Sequence, residues 1–369
     1  MAIQNNKKIA FFLPDLRIGG AEKVFVQLAN SLSEQGYNVD LLLAQKAGNL
    51  FPLVNSKVPI LAFCQGRKSQ LSLLLSSLKG LYFYTTNNKP DVIFSTITGA
   101  NLVAALVRVF LPNQSTKFIL REASSVHNSG LVYRWLSRML YPQSDAVLAG
   151  SKGVIDDMVS YYRVDRDKAH LIRNPVDLTS IKSQASEKVV HPWLLNNDFP
   201  LIVSVGRLTT AKDFVTLIKA FKLVRDERAS KLIIIGEGEC RAELEEKVSV
   251  LGLMNDVDFL GFRENPHPFV SSANVFVLSS RWEGFPNVIL EALALGRNVV
   301  STDCHAGPAE ILSGIGGCTL VPVGDSEKMA SAISEKLNGE LDVREADIRL
   351  KEYSIKAVSQ KYSELMDSI

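Results

Sequence analysis

The stretch that decides the fold covers residues 275–311 and reads VFVLSSRWEGFPNVILEALALGRNVVSTDCHAGPAEI. It opens with Val275–Leu278, an apolar and branched run that is typical of a buried parallel strand. After a polar loop, Pro286 stands where a helix can begin, because the first helical N–H has no intrahelical partner. The helix is predicted to end at Gly296, and residues 298–302 form the next predicted strand. This alternation predicts an open α/β sheet, which binds ligands beyond the carboxyl ends of its strands.

Two carboxylates stand in this apolar stretch. Glu283 lies in the loop, and Glu291 lies more than one turn inside the helix. The two side chains can therefore meet two different parts of one ligand, as suits a ligand with two sets of hydroxyl groups. The plain alternative is that Glu291 is a capped or solvated helix residue without a function.

The loop and helix together resemble the retaining glycosyltransferases of family four, which have the GT-B fold. Glu291 follows Glu283 by eight residues, as in that family, and residues 301–304 and 307–310 also fit its pattern. The resemblance implies that Glu283 contacts hydroxyls of the donor sugar and that Glu291 holds the ribose of the nucleotide. It also implies that the loop between them meets the donor, through Gly284, Phe285, Pro286 and Asn287.

A chain of 369 residues has room for two domains, each with its own core. The resemblance implies an α/β protein of the GT-B fold, with two Rossmann-like, doubly wound parallel-sheet domains that face each other across a cleft. We expect an acceptor-binding domain at residues 1–178, a linker at 179–198 and a nucleotide-sugar-binding domain at 199–352. Residues 353–369 are expected to form a helix that packs back on the first domain.

Strands and helices alternate in the first half, with strands predicted at residues 9–13, 39–43, 92–95, 117–120 and 146–149. Gly19 and Gly20 lie between the first strand and its helix, where backbone N–H groups can approach a phosphate or a sugar. With the Ala-Glu that follows, the two glycines resemble the family's first glycine-rich loop, which implies contact with the donor. They do not form the Gly-x-Gly-x-x-Gly pattern of dinucleotide-binding proteins, which argues against a nicotinamide enzyme.

A polar segment follows the strand predicted at residues 117–120. It contains Arg121, Glu122 and His127. In relatives this region faces the acceptor, so the resemblance implies that one of these side chains lies on the acceptor side. A histidine in a loop is equally compatible with simple solvation.

Two cations follow the strand predicted at residues 201–205. Arg207 and Lys212 lie at the carboxyl end of that strand, from which two positive charges can be aimed at one anion. Together with Gly206 they resemble the family's clamp for the donor diphosphate, although a lone Arg and Lys in a loop are ordinarily surface residues. The resemblance also assigns Glu237 and Phe262 to donor-binding loops, with the segment around Phe262 meeting the nucleobase.

The charge is distributed unevenly along the chain. Residues 1–178 carry 20 Lys and Arg against 12 Asp and Glu, an excess of +8, whereas the remainder carries 21 against 27, or −6. A basic half can face phosphate, anionic lipid or nucleic acid, but no Lys/Arg run or nucleic-acid-binding motif is present, which argues against nucleic acid. Residues 71–84 and 133–141 are typical either of core helices or of helices at a membrane surface. The basic charge favours attachment to an anionic membrane.

The chain contains no apolar window as long as a spanning helix, and residues 9–13 are too short an apolar run for a signal peptide. Its cysteines lack the spacing of a metal or disulfide framework, which fits a reducing compartment; they are Cys64, Cys240, Cys304 and Cys318. We therefore expect a cytoplasmic protein, peripheral on the inner face of the cell membrane.

Two Asp-x-Asp strings, at residues 165–167 and 256–258, could in principle hold a divalent cation. Neither lies near the two glutamates or the Arg-Lys clamp in the sequence. The prediction is that the protein uses no metal and no cofactor.

The resemblance thus implies an enzyme, a retaining hexosyltransferase with Arg207, Lys212 and Glu283 as its catalytic residues. The expected donor is a nucleotide-sugar, a UDP-linked hexose or N-acetylhexosamine. The expected acceptor is a saccharide or a polyprenyl-diphosphate-linked saccharide in cell-surface polysaccharide synthesis. Three alternatives stay open: a nucleotide-sugar epimerase of the same fold, a non-catalytic nucleotide-sugar-binding protein, and a glycan phosphorylase.

Overall fold

The structure is a computed structural model that describes residues 7–17, 19–66, 69–112, 115–126, 130–195 and 199–369. The chain forms two compact units. The first unit runs to Pro175 and also includes Ile355–Ile369, and the second unit is Val176–Ser354.

The first unit is built on a parallel sheet of seven strands among the described residues. Its central strands are apolar and branched, and they are buried throughout, as parallel strands are when both of their faces are covered. In chain order the strands are β1 (Lys8–Leu13), β2 (Asn38–Leu43), β3 (Ile60–Ala62), β4 (Val92–Thr96), β5 (Lys117–Glu122), β6 (Ala146–Ala149) and β7 (Ala169–Leu171). The sheet order is β3-β2-β1-β4-β5-β6-β7, so the direction of winding reverses between β1 and β4.

Five helices connect these strands in the described part of the first unit. They are α1 (Gly20–Glu34), α2 (Gln70–Asn88), α3 (Thr98–Phe110), α4 (Leu131–Leu140) and α5 (Lys152–Tyr162). Ser69 and Ser151 cap α2 and α5, because each side chain accepts a hydrogen bond from a backbone N–H of the first turn. No described helix combines the length and the apolar composition that crossing a bilayer requires.

The second unit is built on a six-stranded parallel sheet, in the order β10-β9-β8-β11-β12-β13. Its strands are β8 (Leu201–Val205), β9 (Lys231–Ile235), β10 (Val257–Gly261), β11 (Val275–Leu278), β12 (Asn298–Thr302) and β13 (Cys318–Val321). Its helices are α6 (Leu178–Ala185), α7 (Pro192–Leu195), α8 (Phe214–Glu227), α9 (Arg241–Val250), α10 (His267–Ser272), α11 (Asn287–Ala294), α12 (Pro308–Leu312), α13 (Ser326–Lys336) and α14 (Val343–Glu352). Here the winding reverses between the paired strands β8 and β11.

The last helix, α15 (Ile355–Ser368), belongs to the first unit, and the resemblance had led us to expect such a helix at residues 353–369. Tyr362 packs on Phe94 of β4 with ring centroids 5.1 Å apart. Val358, Leu365 and Met366 are buried in the same core as β1 and β4. The first sheet therefore depends on a helix from the far end of the chain.

The structure differs from the sequence prediction in two places. Residues 179–198, expected to be a linker, contain most of α6 and all of α7 and are part of the second unit. Ile181 of α6 is buried in the core of that unit, so this segment is structural. The edge strands β3, β7 and β13 were not predicted, because they are short and only partly buried and therefore lack the continuous apolar run that marks a buried strand.

Candidate active site

The candidate site lies at the reversal point of the second sheet. The loop after β8 carries Gly206, Arg207 and Lys212, and the loop after β11 carries Glu283. Because β8 and β11 are adjacent and parallel, both loops leave the same edge of the sheet at the same place. A reversal point at the carboxyl ends of parallel strands is where open α/β sheets bind their ligands.

Hydrogen bonds fasten the two loops to each other. Ser279 Oγ donates to the backbone oxygen of Lys212 at 2.7 Å, and Arg281 N donates to the backbone oxygen of Ala211 at 2.8 Å. Asp213 caps α8 by accepting from Thr216 Oγ1 at 2.9 Å. The same oxygen of this carboxylate, Oδ2, also pairs with the guanidinium of Arg281, with Nε at 3.1 Å. The backbone around Lys212 is thus fixed before any ligand is bound.

Lys212 and Glu283, which are 71 residues apart in the sequence, form an ion pair through Nζ and Oε1. Ser280 Oγ donates a hydrogen bond to the same carboxylate oxygen at 2.6 Å. The lysine and glutamate side chains are 21% and 10% exposed, so the pair is partly shielded from water and stronger than a surface pair.

Cys304 lies beside this pair. Burial raises the pKa of its thiol to about 12, and the negative charge of Glu283 adds to the rise. The thiol therefore stays protonated at neutral pH. We assign it a packing role, because the thiolate is the reactive form of cysteine.

Glu291 is on α11, which follows the loop of Glu283. Its side chain is 24% exposed, and Oε2 lies 3.4 Å from Nε2 of His267 at the start of α10. The carboxylate is therefore accessible from one side and contacts a buried imidazole on the other.

Packing contacts hold the loop between the two glutamates in place. Phe285 packs on Tyr353 with ring centroids 5.8 Å apart, and Pro286 is buried. Gly307 has φ of +103°, and a Cβ at this position would lie 2.5 Å from Cδ of Pro286. Only glycine fits there, so the Gly-Pro pair of the sequence pattern serves to let two loops approach closely.

The other predicted donor-binding residues of the second unit lie on neighbouring loops. Arg207 is exposed, and Phe262, directly after β10, is 55% exposed. Glu237 follows β9 and pairs with Arg241 at 2.5 Å. The backbone N–H of Gly206 donates to Ile235 O at 3.0 Å, which joins the loop after β8 to the end of β9.

Gly19 is the N-cap of α1 in the first unit, and Gly20 is the first residue of that helix, which follows β1 in the chain. Their loop lies at the reversal point of the first sheet, between β1 and β4. Ile97, which precedes α3 on the β4 side of that point, has φ of 71°. A β-branched residue rarely adopts this conformation, and such strain is found preferentially at functional sites.

Arg121 and Glu122 lie inside β5, not after it as the sequence analysis placed them, and each residue is only 2% exposed. Glu122 accepts hydrogen bonds from Tyr141 Oη at 2.7 Å and from the backbone N–H of Ala123 at 3.1 Å. Arg121 donates to Asn174 Oδ1. Their contacts are thus internal, and a role towards the acceptor would have to act through the loop that follows β5.

Burial raises the pKa of the Glu122 carboxyl, although its hydrogen bonds work in the opposite direction. Burial and the neighbouring Glu122 raise the pKa of Tyr141 well above its usual range. The third acceptor-side candidate, His127, lies outside the described residues.

The Asp-x-Asp string at residues 256–258 is engaged in other contacts. Asp256 pairs with Lys231 at 2.8 Å and with Arg225 at 2.9 Å, and Asp258 contacts His191 at 3.1 Å. Within the described residues, no group of three or more His, Cys, Asp or Glu side chains converges as metal ligands do. The absence of a metal requirement stays a prediction.

Three residues of the site were missed in the sequence analysis. Ser280 lies within the quoted stretch but does not stand out beside another serine. His267 and Gln184 reach the site from α10 and from α6. Only the unusual Pro-His-Pro at residues 266–268 could have drawn attention to one of them.

Comparisons with known proteins identify similar sequences and a similar fold. Residues 18–180 match the family described as Glycosyltransferase Family 4, and residues 199–338 match the family described as Glycosyl transferases group 1. Anabaena HepE in complex with UDP and glucose superposes with a TM-score of 0.81 at 18% identity, over 99% of this chain and 100% of that chain. The predicted GT-B fold is thereby confirmed.

Two curated bacterial relatives span almost the whole chain. One is the N-acetylgalactosamine-N,N'-diacetylbacillosaminyl-diphospho-undecaprenol 4-alpha-N-acetylgalactosaminyltransferase of Campylobacter jejuni, 29% identical over 90% of each chain. The other is the lipopolysaccharide core biosynthesis glycosyltransferase LpsE of Rhizobium meliloti, 27% identical over 95% of this chain and 96% of its own.

Proposed function

We propose, on the premise that this chain belongs to the glycosyltransferases of family four, that it transfers a sugar with retention from a nucleotide-sugar to a lipid-linked saccharide. The observation that carries the proposal is the partly buried pair of Lys212 and Glu283 at the reversal point of the second sheet. The pair supports the proposal because a cation can stabilise a departing diphosphate and a neighbouring carboxylate can accept from hydroxyls of a sugar.

In this proposal the second unit binds the donor. Lys212 and the exposed Arg207 receive the diphosphate, Glu283 receives hydroxyls of the sugar, and Glu291 receives the ribose. In the ligand-free state Lys212 is neutralised by Glu283. A donor that offers phosphate oxygens to Lys212 and hydroxyl groups to Glu283 replaces each partner of this ion pair, so neither charge is left unpaired.

The reaction breaks the bond between the anomeric carbon and the diphosphate oxygen and forms a bond from that carbon to an acceptor oxygen on the same face. Negative charge grows on the departing diphosphate, and Lys212 and Arg207 stabilise it without having to reorganise. The departing oxygen takes the proton of the acceptor hydroxyl, so the step needs no protein base.

The proposed acceptor is a saccharide carried on a polyprenyl diphosphate. Support comes from the relative in Campylobacter jejuni, whose name specifies a diphospho-undecaprenol acceptor, and from the lipopolysaccharide relative in Rhizobium meliloti. The proposed donor is a UDP-linked hexose or N-acetylhexosamine, because UDP is bound in the superposed HepE.

The first unit also carries a surface suited to an anionic membrane. Leu131, Val132, Trp135 and Met139 share one side of α4 and are 79%, 69%, 60% and 54% exposed. Arg138, on the same helix, is exposed beside them. An exposed apolar stripe flanked by basic side chains is the composition of a helix that lies in a lipid interface.

Neighbouring helices also expose large apolar side chains. The end of α3, which packs on both α2 and α4, exposes Phe110 by 65%, and α2 exposes Leu71 and Leu75 by 66% and 58%. We therefore propose that α2, α3 and α4 hold the enzyme on the cytoplasmic face of the cell membrane, next to its lipid-linked acceptor.

Flotation with vesicles tests the membrane surface. Phosphatidylglycerol vesicles should carry the wild-type chain to the top of a density gradient, and vesicles of phosphatidylcholine alone should carry less. A Val132→Ser/Trp135→Ser variant should stay at the bottom. Val250→Ser, which alters a 74% exposed valine of the second unit, is the matched control and should float. Equal flotation of all three proteins would remove α4 from the interface.

The reaction is tested by incubating the purified chain with UDP-, GDP- and ADP-sugars, with and without polyprenyl-diphosphate-linked saccharides, and measuring nucleotide release. We expect nucleotide release that requires the acceptor. The sugar should be joined to the acceptor with the same anomeric configuration, axial or equatorial, that it had in the donor. Free sugar without an acceptor would indicate the epimerase, and binding without turnover would indicate a non-catalytic protein.

A further inference from the structure

A buried polar chain connects Glu291 to a helix that no donor-binding assignment includes. Nε2 of His267 lies 3.4 Å from Oε2 of Glu291, and Nδ1 of the same ring lies 2.9 Å from Oε1 of Gln184. The histidine side chain is only 7% exposed. Gln184 is in the last turn of α6, and its Nε2 donates to Ser180 Oγ one turn earlier at 3.1 Å. Three helices, α6, α10 and α11, thus meet at one imidazole.

The hydrogen bonds fix the orientation of the ring. Because the amide nitrogen of Gln184 is used by Ser180, its oxygen faces the ring, and Nδ1 of His267 must be the donor. The backbone holds the same geometry, since Asn265 donates from Nδ2 to Gln184 O at 2.8 Å and accepts from His267 N at 3.1 Å. Nε2 is then aimed at the carboxylate of Glu291, and it donates to that carboxylate when the ring carries its second proton.

Nothing about packing alone requires a histidine here. Nε2 is buried and has no hydrogen-bond partner of good geometry among the described residues. A buried polar atom of this kind lowers the stability of the fold unless its orientation serves a function. The neighbouring carboxylate is 24% exposed, so it can present its other oxygen to a ligand while His267 restrains the first.

We propose that His267, oriented by Gln184, is a positioning residue that holds the Glu291 carboxylate in the direction required to bind the ribose of the donor. The inference rests on the proposed role of Glu291 and adds to it the residues that set its direction. A carboxylate on a flexible side chain loses affinity for a diol when it must be ordered upon binding, and a fixed partner removes that cost.

Two variants of His267 distinguish a role in orienting Glu291 from a role in packing. In His267→Gln the amide nitrogen replaces Nε2 and retains a donor towards Glu291, whereas in His267→Asn the amide group replaces the Nδ1 end and leaves Glu291 without a donor. Gln184→Leu leaves the histidine in place but removes the acceptor that orients it. Lys182→Gln, an exposed residue of the same helix, is the matched control.

The measurement is calorimetric titration with whichever of UDP, GDP and ADP the wild-type chain binds most tightly, and with its 2′-deoxy and 3′-deoxy counterparts. The wild-type chain should prefer the ribose form, and Glu291→Gln should abolish that preference. His267→Asn and Gln184→Leu should reduce the preference by roughly three- to tenfold, the scale of one ordinary hydrogen bond. His267→Gln and Lys182→Gln should retain it within about twofold.

The outcomes distinguish two kinds of failure. A wild-type chain that binds ribose and deoxyribose forms equally, or a Glu291→Gln variant that keeps the preference, would refute the ribose-binding role of Glu291. The positioning role of His267 depends on that role and would be refuted as well. A preference that needs Glu291 but survives in both His267→Asn and Gln184→Leu would overturn the positioning role alone. Equal losses in His267→Asn and His267→Gln, each with a lowered melting temperature, would show that the imidazole only packs.

Discussion

Replacing Lys212 by methionine tests the centre of the proposed mechanism. Methionine keeps most of the length of the side chain but removes the charge that, in the proposed mechanism, stabilises the departing diphosphate. Loss of one preorganised group of this kind lowers kcat by roughly two to three powers of ten, or about 3–4 kcal/mol of transition-state stabilisation. The lysine is 21% exposed, so a water molecule can replace its hydrogen bonds but not its fixed position.

The same change should also lower stability. Without Lys212 the Glu283 carboxylate, which is 10% exposed, retains the hydrogen bond from Ser280 but loses its counter-charge. A partly buried carboxylate in this position costs about 1–3 kcal/mol. Glu283→Gln should cost less, because the remaining ammonium is better hydrated. The double variant should be more stable than the sum of the two single changes predicts, since neither charge is then left without a partner.

The assay is nucleotide release at saturating donor and acceptor, with thermal unfolding measured on the same preparations. Lys219→Met is the control, because Lys219 is an exposed residue of α8 and its loss changes the net charge equally. A Lys212→Met variant whose kcat stays within a few-fold of that of Lys219→Met would refute the clamp. Additive stability changes in the double variant would refute the ion pair.

Three further outcomes are expected. Glu291→Gln should weaken the binding of donor and of free nucleoside diphosphate alike. Glu283→Gln should chiefly lower kcat and leave the affinity for nucleoside diphosphate nearly unchanged. Equal losses of that affinity in the two variants would contradict the assignment of the two carboxylates. Transfer should continue in excess EDTA, and activity that is lost and then restored by manganese would implicate the Asp-x-Asp strings. Because burial raises the pKa of Glu122 in the folded state, wild-type stability should fall as the pH rises above the ordinary glutamate range. Glu122→Gln should lack this component, so its melting temperature relative to that of the wild type should increase as the pH rises above the ordinary glutamate range.

The sequence was sufficient to predict the parts of the fold that are periodic. The strand Val275–Leu278 and the helix that ends before Gly296 could be recognised because apolar runs and terminators are local features. The return of α15 to the first unit was predicted from the resemblance, since the local sequence of an amphipathic helix does not identify the domain on which the helix packs.

The candidate site was predictable in its residues but not in its contacts. The spacing of Glu283 and Glu291 identified both carboxylates, yet it could not show that Lys212 neutralises the first and that His267 restrains the second. These pairings depend on the order of strands in the sheet, which joins β8 to β11 across 70 residues of sequence. Arg121 was misplaced for a related reason: a charged residue at a strand end resembles a loop residue, and its burial depends on Asn174, which is distant in the sequence.

The position of α15 has a consequence for synthesis of the chain. The second unit is one continuous segment, Val176–Ser354, and all of its residues have been translated before α15 is made. The first unit begins earlier but must wait for Tyr362 and its neighbours to cover Phe94. Folding on the ribosome should therefore finish in the reverse of the usual N-to-C order, with the core of the seven-stranded sheet left incomplete until α15 has been translated. A premature stop within α15 would leave that apolar surface open, and the released chain would be a substrate for chaperones and proteases even though the second unit had folded.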